Sequence, residues 1–335
     1  MSERIQSIAV YGAGSWGTAL ALQLARNGLD VLLWDINPEH VDNLNRQREN
    51  AHYLPGIAFP DKLRCCADLS TVAAFADYHL VVVPSHVFRE MLRKLSPLLN
   101  AADAVLWATK GLELETGKLL HQVLEEELSQ CRAYGVVSGP TFAAEVARGL
   151  PTAMTVAANQ PALAQAVAAA FSAANYRAYI SNDVLGVELG GAVKNVLAIA
   201  AGISDGLGFG ANARVAIVTR GLAEIMRLGA KLGAQPETLM GLAGVGDLVL
   251  TCTDNQSRNR RLGLALGQGK SRDAALAEIG QAVEGAKSAL SIGKLAERAG
   301  VEMPICQQVY RILYEHLPPK QAVSELLSRD LKAEF

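Results

Sequence analysis

The chain has 335 residues, of which 50% are hydrophobic, 19% charged and 5% aromatic. That length suggests two domains, each able to bury a core without a disulfide or metal staple, and the composition excludes a disordered chain. With 31 Lys and Arg against 33 Asp and Glu, the formal net charge of −2 supplies no bulk field for gripping nucleic acid.

The five cysteines form no C-x-x-C pair, and the six histidines are scattered without ligand spacing. A metal-free protein of a reducing compartment is expected. The first apolar run, residues 8–11, is short and stops at glycines, unlike a signal peptide. No stretch reads as the roughly 20 apolar residues of a membrane span, so a cytoplasmic protein is expected.

Along the first half, short runs rich in Val, Leu and Ile alternate with helical stretches. The expected strands are Ser7–Tyr11, Asp30–Trp34, 79–83, 104–109 and 133–137. Continuous apolar runs fit strands buried on both faces of a parallel sheet. The intervening segments 18–27 and 118–130 carry helical spacing, and Leu120, Val123, Leu124 and Leu128 mark one face of the second. The Ala-rich segment 161–174 is a strong helix former. Alternation of this kind predicts a doubly wound α/β sheet.

Beyond residue 182 no strand pattern is evident. Helices are expected over 187–203, 215–232, 273–279, 286–299 and 305–314, with Pro304 opening the last. The spacing predicts a Rossmann-type domain over 1–181 and an all-helical domain over 182–335. The Gly/Ala-rich helices can pack on each other or on a second subunit, which leaves a homodimer open.

The first strand leads into Gly12-Ala13-Gly14-Ser15-Trp16-Gly17 and then a helix. In this G-x-G-x-x-G turn, Gly12 permits the bend, Gly14 lets a pyrophosphate approach the backbone and Gly17 lets helix and strand pack closely. The helix N-terminus offers its unpaired N–H groups to the phosphates. The second strand ends at Asp35, near where an acid takes the adenosine ribose hydroxyls. A carboxylate there suits the free 2′-hydroxyl of NAD and repels the 2′-phosphate of NADP, and no Lys or Arg follows in residues 36–40. NADH is the expected cofactor.

Ligands of open α/β sheets sit outside the carboxyl ends of the strands. Lys110 falls there, as do Pro84-Ser85-His86 and Ser138-Gly139-Pro140-Thr141. Lys194 is the only cation in the apolar, small-residue stretch 189–203, beside Asn195. A desolvated lysine has a lowered pKa and can donate a proton near neutral pH. Asp247, in Gly-Val-Gly-Asp-Leu, is a candidate partner for it. The run Ser257-Arg258-Asn259-Arg260-Arg261 offers guanidinium forks and amide donors that suit a phosphate.

These segments together resemble the bacterial NAD(P)-dependent glycerol-3-phosphate dehydrogenases over essentially the whole chain. The resemblance is carried by Gly12-Ala-Gly-Ser-Trp-Gly-Thr-Ala19, Val81-Val-Val-Pro-Ser-His86, Trp107-Ala-Thr-Lys-Gly-Leu-Glu113 and Ser138-Gly-Pro-Thr-Phe-Ala143. It continues through Gly190-Gly-Ala-Val-Lys-Asn-Val196, Gly206-Leu-Gly-Phe-Gly-Ala-Asn-Ala-Arg214, Gly244-Val-Gly-Asp-Leu-Val-Leu-Thr-Cys252 and the Ser-Arg-Asn-Arg-Arg run. It implies reduction of dihydroxyacetone phosphate to sn-glycerol 3-phosphate, the backbone precursor of phospholipids, with Lys194 as the catalytic lysine. By the same resemblance Lys110, Asn195, Asp247 and Thr251 surround that lysine. Gly139, Thr141, Ser257, Arg258 and Asn259 match substrate contacts, with Arg258 and Asn259 on the phosphate. Ser15, Trp16, Lys110, Ala143, Arg258 and Glu284 match contacts to NAD(H) or NADP(H), with Ala282 beside them. Asp35 departs from the family, many members of which lack an acid there and place a neutral or basic residue at or just after that position.

Two other readings compete. A β-hydroxyacid dehydrogenase places an Asn four residues after its lysine, one helical turn on, where this chain has Ala198. A redox-silent NAD sensor needs neither a lysine in an apolar helix nor an arginine cluster.

Overall fold

The computed structural model describes residues 4–330. The apolar runs form strands because their alternate side chains enter two different cores. In β1 (Ser7–Tyr11), Ile8 and Val10 join one buried cluster while Ala9 and Tyr11 join another on the opposite face. A strand covered by helices on both sides has no solvent face, so its sequence is apolar throughout.

The remaining strands are β2 (Asp30–Trp34), β3 (Leu63–Cys66), β4 (Tyr78–Val81), β5 (Ala104–Trp107), β6 (Ala133–Ser138), β7 (Thr152–Ala158) and β8 (Tyr176–Ser181). They form one sheet in the order β3-β2-β1-β4-β5-β6-β7-β8. Every neighbouring pair is parallel except β6 with β7. The order reverses direction between β1 and β4, which opens a crevice at their carboxyl ends.

Three strands are additions to those expected from the sequence. The edge strand β3 is short and carries an exposed Arg64; β8, at the other edge, exposes Tyr179 and Ile180. Half-exposed edges lack the continuous apolar signal, and β7 is diluted by alanine and threonine. The first helix, Ser15–Arg26, also starts inside the glycine motif, earlier than the apolar spacing suggests.

The sheet ends at Ser181 and the helices of the second half gather around Val184–Gly206, which is buried along nearly all its length. Its first turn is capped by Asp183, whose carboxylate accepts from Gly186 N–H at 2.8 Å. Contrary to the sequence expectation, this helix is apolar and long enough to cross a membrane, with a mean hydropathy of 1.5 in its most apolar window. Since 83% of that window is buried inside the protein, it serves here as a core helix. The helices Ala211–Leu232, Asp247–Thr253, Arg258–Gly267 and Glu284–Ala299 pack against it.

One segment crosses between the halves. Leu112 and Leu119, from the loop after β5, are buried in the helical core. Lys294 and Arg298 fasten that loop by donating to the carbonyls of Glu115 (2.7 Å) and Gly117 (2.8 Å). Lys110, at the start of the loop, is thereby tied to both halves.

Candidate active site

The crevice is a cleft of about 800 Å³ running from the glycine turn to the helical half, a size suited to a cofactor and a small substrate. At one end, Gly12 has φ +113°, and a Cβ there would lie 2.6 Å from the Val82 carbonyl oxygen. A Cβ on Gly17 would lie 1.9 Å from Gly12 O, so both glycines are required by packing. A Cβ on Gly14 would meet no protein atom within 4 Å. Gly14 is therefore not required by packing, and its bare backbone faces the cleft, which fits the approach of a pyrophosphate.

The buried Asn50 holds the turn from behind, donating to Ala13 O and Thr18 Oγ1, each at 2.9 Å. No pattern in the sequence singled this residue out. Ser15 and Trp16 line the cleft at the helix start. The Trp16 indole donates to Ala108 O at 3.2 Å, and the Lys110 ammonium stands 5.8 Å from its ring centre. Asp35 lines the cleft with its carboxylate fixed by Ala13 N–H (3.1 Å) and Asn37 N–H (3.0 Å).

The cleft wall in the helical half carries Lys194, buried with only 6% of its surface exposed. Its Nζ donates to Asp247 Oδ1 at 2.5 Å and to Thr251 Oγ1 at 2.8 Å. The Thr251 hydroxyl can accept from the ammonium because it donates onward to the Asp247 carbonyl at 2.6 Å. Asp247 Oδ2 accepts from Lys110 Nζ at 2.8 Å, and that ammonium also donates to Gly139 O at 3.0 Å. Asp247 has no exposed surface and, like Gly139, stands behind the cleft wall. Burial, reinforced by the positive charge of Lys110, lowers the Lys194 pKa to about 8 against the pull of Asp247.

Local geometry explains why an aspartate can sit there. It begins the helix Asp247–Thr253 as a direct continuation of a single π-helical turn, Leu242–Gly246, and its buried carboxylate is balanced by the two ammonium groups that donate to it. That turn sits against the lysine helix at backbone distance, since a Cβ on Gly190 would lie 2.4 Å from Ala243 O. π-turns within helices often mark functional sites.

Asn195, Ser257, Arg258 and Asn259 also line the cleft. The buried amides interlock: Asn259 Nδ2 donates to Asn195 Oδ1 at 2.9 Å, and Asn259 Oδ1 accepts from Gly285 N–H at 2.9 Å. Ser257 caps the helix Arg258–Gly267, its hydroxyl accepting from Arg260 N–H at 3.2 Å. Burial lowers the Arg258 pKa, and the guanidinium makes only a long hydrogen bond, 3.4 Å, to Gln281 among the described residues. Its donors are thus available to an anion. Of the three arginines in this run, Arg258 and Arg261 line the cleft; Arg260 does not.

Thr141, Ala143, Ala282 and Glu284 line the cleft as well. Burial raises the Glu284 pKa, and the carboxyl accepts from Ser85 Oγ, across the two halves, at 3.3 Å. Ser85 lay among the strand-end residues flagged by the sequence, whereas Gln281 did not.

A glycine turn for a dinucleotide, a buried lysine hydrogen-bonded to a carboxylate and an arginine pocket on one cleft define a nicotinamide-dependent dehydrogenase of phosphorylated substrates. The family models for the N-terminus and C-terminus of NAD-dependent glycerol-3-phosphate dehydrogenase match residues 7–164 and 183–324. The chain belongs to this glycerol-3-phosphate dehydrogenase family. It is 60% identical over 329 residues to the glycerol-3-phosphate dehydrogenase (NAD(P)+) of Thioalkalivibrio sulfidiphilus, covering 98% of each chain. A glycerol-3-phosphate dehydrogenase crystal structure from Coxiella burnetii superposes with a TM-score of 0.94 at 49% identity, covering 97% of this chain and 99% of that one. The corresponding yeast structure superposes with a TM-score of 0.84 at 27% identity, covering 98% of this chain and all (100%) of that one.

Proposed function

We propose that the chain catalyses the reversible NAD(P)H-dependent reduction of dihydroxyacetone phosphate to sn-glycerol 3-phosphate, supplying the glycerol backbone for phospholipids in the cytoplasm. The observation that carries the reading is the Lys194 ammonium, buried in the cleft wall between Asp247 and Thr251 and sharing its cleft with Arg258.

The glycine turn fits a dinucleotide pyrophosphate, with Ser15, Trp16, Lys110, Ala143, Arg258, Ala282 and Glu284 as further contacts. When bound, the reduced nicotinamide supplies the hydride that reaches the carbonyl carbon. The protein supplies the rest. Arg258 and Asn259, with Ser257 and Thr141 on the same cleft wall, hold the substrate phosphate and so place the three-carbon chain, while Gly139 acts from behind the wall by fixing Lys110. Lys194 donates a proton to the carbonyl oxygen as it gains charge, and accepts one back in the oxidative direction. Asp247 holds the ammonium in place, and Lys110 adds positive charge beside the developing alkoxide. Asn195 is fixed by Asn259 with its amide hydrogens uncommitted, so it can donate to substrate.

Asp35 supports a preference for NADH over NADPH, because its carboxylate is held at the adenosine end of the cleft. We divide the chain into a nucleotide-binding domain over 1–181 and a substrate domain over 182–335, where β8 gives way to the lysine helix. The test is loss of NADH absorbance with dihydroxyacetone phosphate, compared with 3-hydroxyacids in reverse and with no substrate. Turnover confined to the phosphorylated ketone supports the reading; turnover of 3-hydroxyacids alone, or none, rejects it.

A further inference from the structure

The helix that carries the phosphate-binding side chains meets the lysine helix backbone to backbone at four glycines. A Cβ on Gly202 would lie 2.1 Å from Arg260 O, and one on Gly263 would lie 2.0 Å from Ile199 O. Gly206 and Gly267 repeat the pattern one turn on, at 2.3 Å from Leu264 O and 2.4 Å from Ile203 O. Such a seam fixes the distance between two helix axes, and polar contacts beside it, the Asn259–Asn195 bond among them, bear on their rotation and sliding.

Arg260 adds the most extensive of these contacts. Two residues after Arg258 it points to the other side of its helix, away from the cleft. Only 6% of the residue is exposed. Each arm of its guanidinium is used: Nε donates to Cys252 O at 3.0 Å, Nη1 to the Asn255 side-chain oxygen and Nη2 to Asp205 Oδ2. Asp205 lies in the last turn of the lysine helix and also takes Arg214 Nη1 at 2.9 Å. Cys252 follows Thr251, the acceptor of the Lys194 ammonium, and Asn255 lies in the turn that leads to Ser257. One planar fork therefore joins the lysine helix, the Asp247–Thr253 helix and the phosphate turn.

We infer that Arg260 and Asp205 are positioning residues that set the span between the phosphate pocket and Lys194, although neither touches the substrate. This rests on the function proposed above. The fork geometry does the positioning: a lysine in its place keeps the charge but cannot reach three acceptors in a plane.

The readout is the ratio of kcat/KM for dihydroxyacetone phosphate to that for phosphate-free dihydroxyacetone. General damage lowers both and leaves the ratio alone, whereas a misplaced phosphate pocket lowers the ratio. Arg260→Lys is expected to reduce it at least about tenfold, in line with the cost of ångström-scale misplacement. Asp205→Asn should reduce it in the same direction by a smaller factor, and it carries the test if Arg260→Lys does not fold. A wild-type ratio in folded Arg260→Lys, or in Asp205→Asn where that variant carries the test, overturns the inference alone. A wild-type enzyme inactive on dihydroxyacetone phosphate overturns the functional reading and this inference with it.

Discussion

Lys194 Nζ donates to Asp247 Oδ1 at 2.5 Å, and the carboxylate that receives it has no exposed surface. A single buried carboxylate thus stands between two ammonium groups, since its other oxygen takes Lys110 at 2.8 Å. Desolvation and the second cation outweigh the carboxylate, so Lys194 titrates near pH 8 rather than at the ordinary lysine value of about 10.4. With Lys194 as the proposed proton donor, ketone reduction is expected to fall as pH rises through about 8 and alcohol oxidation to rise over the same interval, which pH–rate profiles in the two directions check.

Asp247→Asn removes the charge that favours the ammonium while leaving Lys110 in place. The Lys194 pKa then drops further, and the alkaline limb of the reductive pH–rate profile moves to lower pH. An unmoved limb in a folded Asp247→Asn enzyme would assign that limb to another group.

Arg258→Ala removes a guanidinium that lines the cleft with its donors largely uncommitted. Loss of charge-assisted hydrogen bonds to phosphate is expected to raise the KM for dihydroxyacetone phosphate by about 10- to 100-fold. Inhibition by inorganic phosphate should weaken in parallel. Steady-state kinetics with phosphate as a competitor check both.

Asp35 is held by two backbone N–H groups and cannot easily swing away from a bound ribose. If Asp35 faces the adenosine ribose as proposed, a 2′-phosphate there would meet it at a cost of ~1–4 kcal/mol for unit charges 4 Å apart. Asp35→Ser should therefore shift the kcat/KM ratio toward NADPH by about tenfold or more. A wild-type enzyme that already prefers NADPH contradicts the assignment.

Gly190→Ala places a methyl group 2.4 Å from Ala243 O, where backbone must yield. The variant should lose about 1–3 kcal/mol of stability in denaturant unfolding, and its activity should fall because the displaced π-turn carries Asp247. A Gly190→Ala protein as stable and active as wild type would show that this contact does not anchor Asp247.

The first strand, its glycine turn and Asp35 were legible in sequence because close packing on both sheet faces leaves a continuous apolar run with glycines at its end. Lys194 was legible as the one charge in an apolar stretch. The edge strands β3 and β8 were not, since each is partly exposed and obeys neither the apolar nor the strictly alternating pattern. The sequence did not separate Arg260 from its neighbours in the arginine run, because the helix Arg258–Gly267 that turns it to the opposite face was not among the expected elements. Asn50 carried no signal, for its role depends on a loop that returns to the glycine turn from far along the chain.

The most direct test of the account is the turnover number of Lys194→Met in NADH oxidation driven by dihydroxyacetone phosphate. The account predicts a drop in kcat of about 10²- to 10⁴-fold, the usual worth of a positioned general acid, with the KM for NADH little changed. Turnover close to that of the wild-type enzyme would contradict it.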